Sequence, residues 1–320
     1  MRNRLTLALL LGMLAFGGAA CTRMRSARSA PPANQLEHAG LERSYRLIVH
    51  VGHDPAVPTP LVLALHGGGG DGAQMCALPG GIQELAEPKS FIVVCPDAVE
   101  NHWNDGRGNE QYRSQAEDID DVGFLLALIE RLSGEYNVDP ARVYVTGASN
   151  GGMMTQRLAC EASGAFAAAA VVIASQPANL DCRPDRPISI LFMSGPDDPM
   201  MPFEGGEVHF YRQELGEVLS TQDTVSFWGN ANGCDPTPES ELLPDRDPAD
   251  GTRIRLDAYS DCDDGVRVLL YTVQGGGHSW PGGSQYLPRF VIGRVSRDLH
   301  ANETIWGFFE AARNSQRKPR

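Results

Sequence analysis

Arg142-Val-Tyr-Val-Thr-Gly-Ala-Ser-Asn-Gly-Gly152 runs a β-branched and aromatic stretch into Gly147, places Ser149 between small neighbours, and resumes with Gly151 and Gly152 before a helical pattern. This is the layout of a nucleophile elbow, a strand-to-helix turn so sharp that the residues two before and two after the serine must be nearly without side chain. With 35 glycines and 19 serines in 320 residues, about 0.2 such patterns arise by chance, so its surroundings must carry the reading.

Working outward, strand-length apolar runs recur at 45–51, 61–65, 91–95, 142–146, 167–173, 188–193 and 266–273. Several are almost unbroken Val, Leu and Ile, as strands buried on both faces require. Helical patterns alternate with them. The clearest spans Ile119 to Tyr136, with Val122, Leu125, Leu126, Ile129 and Leu132 on one stripe behind an acidic start. Others follow Ser149 and cover Thr304 to Ala312. The alternation predicts an α/β fold, a mostly parallel central sheet flanked by helices. In such sheets ligands bind beyond the carboxyl ends of the strands, so a catalytic residue should follow a strand directly.

A serine nucleophile needs a base, a carboxylate to orient that base, and donors for the developing oxyanion. In the α/β-hydrolase arrangement the chain order is Ser, then Asp or Glu, then His. Three histidines follow Ser149. His209, beside Phe210 and Tyr211, reads as a helix-face histidine, and His300 sits at the start of the last helix. His278 instead follows a strand through Gly275-Gly-Gly277, which makes it the candidate base over a merely solvated turn histidine. After the strand 188–193, both Asp197 and Asp198 satisfy the strand-end rule, and one of the two is expected to be turn chemistry. The run 61–65 leads into His66-Gly-Gly-Gly-Gly70. Amides of Gly67 or Gly68, with that of Asn150, are the candidate oxyanion donors. A phosphate cradle fails because no Lys-Ser or Lys-Thr follows these glycines at the required spacing.

The net charge of −13 argues against nucleic acid as a partner. Residues 1–20, with Arg2, Arg4 and an apolar run, predict a signal peptide, and Gly18-Ala-Ala-Cys21 resembles a lipobox with Gly18 where leucine is usual. Cys21 is therefore the candidate lipidation site and would be the chain's contact with a membrane. Residues 21–40, basic and poor in apolar side chains, read as a flexible tether, leaving 41–315 as a single catalytic domain. Six further cysteines suit an oxidising compartment and allow 15 pairings; sequence neighbours give Cys76 with Cys95, Cys160 with Cys182, and Cys234 with Cys262. Zinc is disfavoured because no Cys-x-x-Cys pair exists.

These motifs together resemble the polyhydroxybutyrate depolymerase-like, feruloyl and acetylxylan esterase family of α/β-hydrolase serine esterases. The resemblance spans about residues 41–310 and rests on Leu65-His-Gly-Gly-Gly-Gly70, Trp103-Asn-Asp-Gly-Arg-Gly108, Asp120-Asp-Val-Gly-Phe124, the elbow segment 138–152, and Gly276-Gly-His-Ser-Trp-Pro-Gly282. A family segment His-Gly-Thr-x-Asp-x-x-Val-Pro lines up with 194–202, with Ser194 and Pro196 as departures, which places the acid at Asp198. The resemblance implies acyl transfer to Ser149 through a Ser149-Asp198-His278 triad, with neither metal nor organic cofactor and a small or oligomeric ester as the partner. Trp103 and Trp280 are candidate substrate contacts, although tryptophans beside Gly-rich loops are as often packing. A non-catalytic binding lipoprotein and a peptidase on the same fold are the competing readings.

Overall fold

The computed structural model describes residues 33–312. Twelve strands occur among them: β1 Ala33–His38, β2 Leu41–Ile48, β3 Thr59–Leu65, β4 Ile92–Pro96, β5 Val138–Ala148, β6 Ala168–Val172, β7 Ser189–Ser194, β8 Gly206–Phe210, β9 Gln213–Val218, β10 Glu239–Leu242, β11 Arg253–Tyr259 and β12 Val268–Gln274. Ten form one sheet in the order β1-β2-β4-β3-β5-β6-β7-β12-β11-β10, and β8 pairs only with β9. The six strands from β4 to β12 run parallel, and antiparallel strands close both edges.

The parallel centre is apolar because both faces are covered. Along β3, Leu61, Leu63 and Leu65 enter one core while Val62 and Ala64 enter the other, the period of two that a strand imposes. The first core is roofed by helices Asp121–Tyr136, Asn150–Glu161 and Thr221–Ala231, which contribute Phe124, Leu158 and Trp228. The second is closed by helix Ala301–Ala311, where Trp306 stacks on Phe91 at 4.0 Å and Phe309 on Tyr144 at 4.6 Å. The acidic start of helix Asp121–Tyr136 divides its work. Asp120 caps the Gly123 amide, whereas the fully buried Asp121 pairs with Arg43 at 2.6 Å. Burial raises the Asp121 carboxyl's pKa, while the Arg43 guanidinium opposes the rise.

All three neighbour disulfides form: Cys76–Cys95, Cys160–Cys182 and Cys234–Cys262. Residues 1–20, expected to be a signal peptide, and Cys21 lie outside the described residues. Two expectations need correction. The tether expected over 21–40 does not hold for its second half, because Ala33–His38 is strand β1, paired antiparallel with β2 from Ala33↔Arg46 to His38↔Leu41. Its sequence lacks an apolar stripe because an edge strand can be held by ladder hydrogen bonds without deep burial. His209 is not on a helix but on β8, in a hairpin whose short polar strands carry too few apolar residues to show a period.

Candidate active site

The elbow is built as the glycine spacing demands. Ser149 sits at φ 54°, ψ −120°, between the end of β5 and helix Asn150–Glu161. A left-handed φ on a residue with a side chain costs on the order of 1–3 kcal/mol, and here the neighbours enforce it. A Cβ on Gly147 would lie within 3 Å of the Gly151 backbone, and one on Gly151 would crowd the carbonyls of Leu65 and His66. The Ser149 amide donates to Val172 O at 3.0 Å, tying the tip to β6.

Immediately after β3, the loop 66–70 passes beside this tip. A Cβ on Gly67 would meet Ser149 Cβ at 3.6 Å, and one on Gly68 would meet Asn150 Cβ at 3.6 Å. Among the described residues the amides of Gly67, Gly68 and Asn150 make no backbone hydrogen bond, which leaves them as the candidate oxyanion donors beside Ser149. His66 holds the loop. Its Nδ1 donates to Gly67 O at 2.8 Å and its Nε2 accepts from the Ala98 amide at 3.1 Å, a pattern that only the neutral ring satisfies. Burial lowers the pKa of this imidazole in the same sense.

The Trp-Asn-Asp-Gly-Arg-Gly motif supports the other donor. Asn150 Oδ1 accepts from Trp103 N at 2.8 Å, and Asn150 Nδ2 donates to Asp105 Oδ2 at 2.6 Å. Asp105, fully buried, also takes Arg107 Nε at 2.9 Å, and Arg107 reaches Leu215 O on β9. The charge of the buried carboxylate is thereby matched, and the side chain of Asn150 cannot rotate without breaking it.

The strand ends of β7 and β12 bring acid and base together. His278 Nδ1 donates to Asp198 Oδ2 at 2.7 Å, with side-chain exposures of 4 % and 2 %. Asp198 Oδ1 accepts the amides of Met200 and Met201 at 2.8 and 2.9 Å. Asp197 does something else: its Oδ2 accepts the Gly275 amide at 2.9 Å and so fixes the glycine turn that carries His278. Tyr286 Oη donates to His278 O at 3.0 Å, and burial, then the Asp198 charge, pushes its phenol pKa up to about 12.

Ser149, His278, Gly67, Gly68, Asn150 and Trp280 all line one cavity of about 640 Å³. Trp280 is anchored by its Nε1 to Asn302 Oδ1 at 3.1 Å. Trp103 is not a substrate contact: it is fully buried, lies against His66 with ring centroids 5.1 Å apart, and donates Nε1 to His66 O at 3.0 Å. Its neighbour His102 lines the cavity instead, because adjacent side chains of an extended backbone point to opposite sides. The hairpin β8–β9 adds Val208, His209, Phe210, Gln213 and Leu215 to the wall. No motif announces these residues, since the hairpin reaches the cavity only through the fold.

Comparison with known proteins agrees with this geometry. The Prolyl oligopeptidase family matches residues 91–199, the segment holding both Ser149 and Asp198. The "Putative esterase NocK" of Nocardia uniformis subsp. tsuyamanensis is 33% identical over 285 residues, covering 86% of this chain and 81% of NocK. Feruloyl esterase C of Emericella nidulans is 29% identical over 279 residues, 84% of each chain. The acetyl xylan esterase from Aspergillus awamori superposes with a TM-score of 0.56 at 16% identity over 87% of this chain and 99% of its own, a likeness of fold. With 33% identity to a relative over most of both lengths, the chain belongs to the α/β-hydrolase esterase family and is a carboxylic ester hydrolase.

Proposed function

We propose that the protein is an exported serine esterase that works through an acyl-enzyme on Ser149. The observation that carries this reading is the 2.7 Å bond between buried Asp198 and His278, on a cavity that also contains the strained Ser149. Asp198 holds the proton on Nδ1, leaving Nε2 to accept the Ser149 hydroxyl proton as Oγ attacks the ester carbonyl. The tetrahedral oxyanion is met by the Gly67, Gly68 and Asn150 amides, which have no other backbone partner among the described residues. Collapse breaks the ester bond, His278 returns its proton to the leaving alcohol, and a water activated in the same way releases the acid and regenerates Ser149.

Three disulfides support export, since such bonds persist in oxidising compartments. Lipidation at Cys21 belongs to the same proposal, with mass spectrometry of the mature N-terminus as its test. Fluorophosphonate labelling tests the triad: adduct on Ser149, absent in Ser149→Ala, is expected, and unlabelled folded protein would overturn the reading. The match of residues 91–199 to the Prolyl oligopeptidase family favours a second reading, a peptidase. Turnover of a peptide amide comparable with that of the matching ester would decide for it.

A further inference from the structure

The cavity wall beside the oxyanion loop is formed by an imidazole that the triad does not use. His102 stacks on Tyr112 with centroids 3.7 Å apart and planes 12° apart, which fixes the plane of its ring. Its Nδ1 lies 3.0 Å from Glu100 O. A carbonyl oxygen only accepts, so Nδ1 carries the hydrogen and the neutral ring presents Nε2 as a lone-pair acceptor. Burial lowers the pKa of this imidazole, which keeps it neutral. The Cδ2–Nε2 edge faces Gly68: a Cβ there would stand 3.2 Å from Cδ2 and 3.3 Å from Nε2. Among the described residues nothing donates to Nε2, and the ring lines the cavity.

Sheet order gives this acceptor a side. His102 follows β4, Ser149 follows β5 and His278 follows β12, in the spatial order β4-β3-β5-β6-β7-β12. The leaving alcohol must face His278, which returns its proton. With the alcohol on the His278 side, the oxyanion and the acyl chain share the side away from it, the side of the cavity that His102 lines next to Gly68.

We propose that His102 is a specificity residue, accepting a hydrogen bond at Nε2 from a hydroxyl on the acyl group of the ester. The proposal rests on the Ser149 reading above. An acyl chain without a hydroxyl covers Nε2 and leaves it unsatisfied, and a site built around a hydrogen bond rejects the analogue that lacks its partner. Because the ring is only half-buried and keeps some access to water, the discrimination should be modest, about five- to tenfold.

The test is a matched set of 4-nitrophenyl esters, butyrate against 2-, 3- and 4-hydroxybutyrate. Each is measured as kcat/KM on the wild-type chain and on His102→Phe and His102→Leu, two variants that both remove the acceptor. The wild type should prefer at least one hydroxylated ester about five- to tenfold over butyrate, and that ratio should fall toward one in whichever variant folds. The ratio is internal to each preparation, so partial misfolding cancels. A wild-type ratio near one, or a ratio unchanged by either substitution, overturns the assignment. Fluorophosphonate titration of the same preparations separates the two readings. Labelled enzymes with identical ratios sink only the role of His102, whereas an unlabelled wild type sinks that of Ser149.

Discussion

Replacing Asp198 by asparagine should cost about 10⁴ in kcat, while the same change at Asp197 should cost less than about fivefold. The difference follows from what each carboxylate touches. Asp198 Oδ1 receives two amides, Met200 and Met201, and Oδ2 receives His278 Nδ1. An asparagine there keeps its oxygen on the two amides, because turning its NH₂ toward them would leave buried donors unpaired at about 1–3 kcal/mol each. The NH₂ then faces Nδ1, which must become an acceptor. The imidazole proton moves to Nε2, and the ring can no longer take the proton of Ser149. The wrong tautomer in a serine triad lowers kcat about 10⁴-fold, equivalent to about 5 kcal/mol of barrier. Asp197 accepts only the Gly275 amide, a bond that an asparagine oxygen preserves. Hydrolysis of 4-nitrophenyl acetate, normalised to active sites, measures both, with thermal melts to show that each variant folds. Equal losses, or an Asp198→Asn enzyme within tenfold of wild type, would refute the reasoning.

Further outcomes follow from the same contacts. Gly151→Ala should destabilise the fold by about 1–3 kcal/mol, since its Cβ meets backbone carbonyls of Leu65 and His66 that cannot swing away; a urea melt measures it. The pKa of His66 is lowered by burial, so the unfolded chain binds the extra proton first as pH falls. Its share of stability is complete above the unfolded value of about 6.5 and declines below it, and His66→Gln should flatten the loss seen between urea melts at about pH 7.5 and 5.5. Cys234→Ser with Cys262→Ser opens a loop of 28 residues and should lower stability by about 3 to 4 kcal/mol in denaturant melts under oxidising conditions.

Much of the site was legible in the chain because its parts obey local rules. Gly147 and Gly151 are demanded by backbone crowding within a few residues of Ser149, and a continuous apolar run such as Leu61 to Leu65 marks a strand buried on both faces. Each triad candidate therefore stood at a strand end that sequence could locate. Neighbouring cysteines also paired as sequence proximity suggests, across separations of 19, 22 and 28 residues.

Other assignments depended on which groups converge from far along the chain. Asp197 and Asp198 are chemically identical and adjacent, so in the sequence only the family resemblance separates them, and it is the approach of the β12 loop that gives one to His278 and the other to Gly275. Trp103 and His102 differ in which side of an extended backbone faces the cavity, a choice made by His66 and Asn150. The hairpin β8–β9 and strand β1 lack an apolar period, so pairing partners distant in sequence define them. Sequence alone thus determined the parallel sheet, the elbow and the glycine loop, since backbone sterics and burial act over a few residues. The tertiary structure decided which carboxylate bonds His278 and which ring lines the cavity, since hydrogen bonds between separate loops exist only once the sheet has aligned its strand ends.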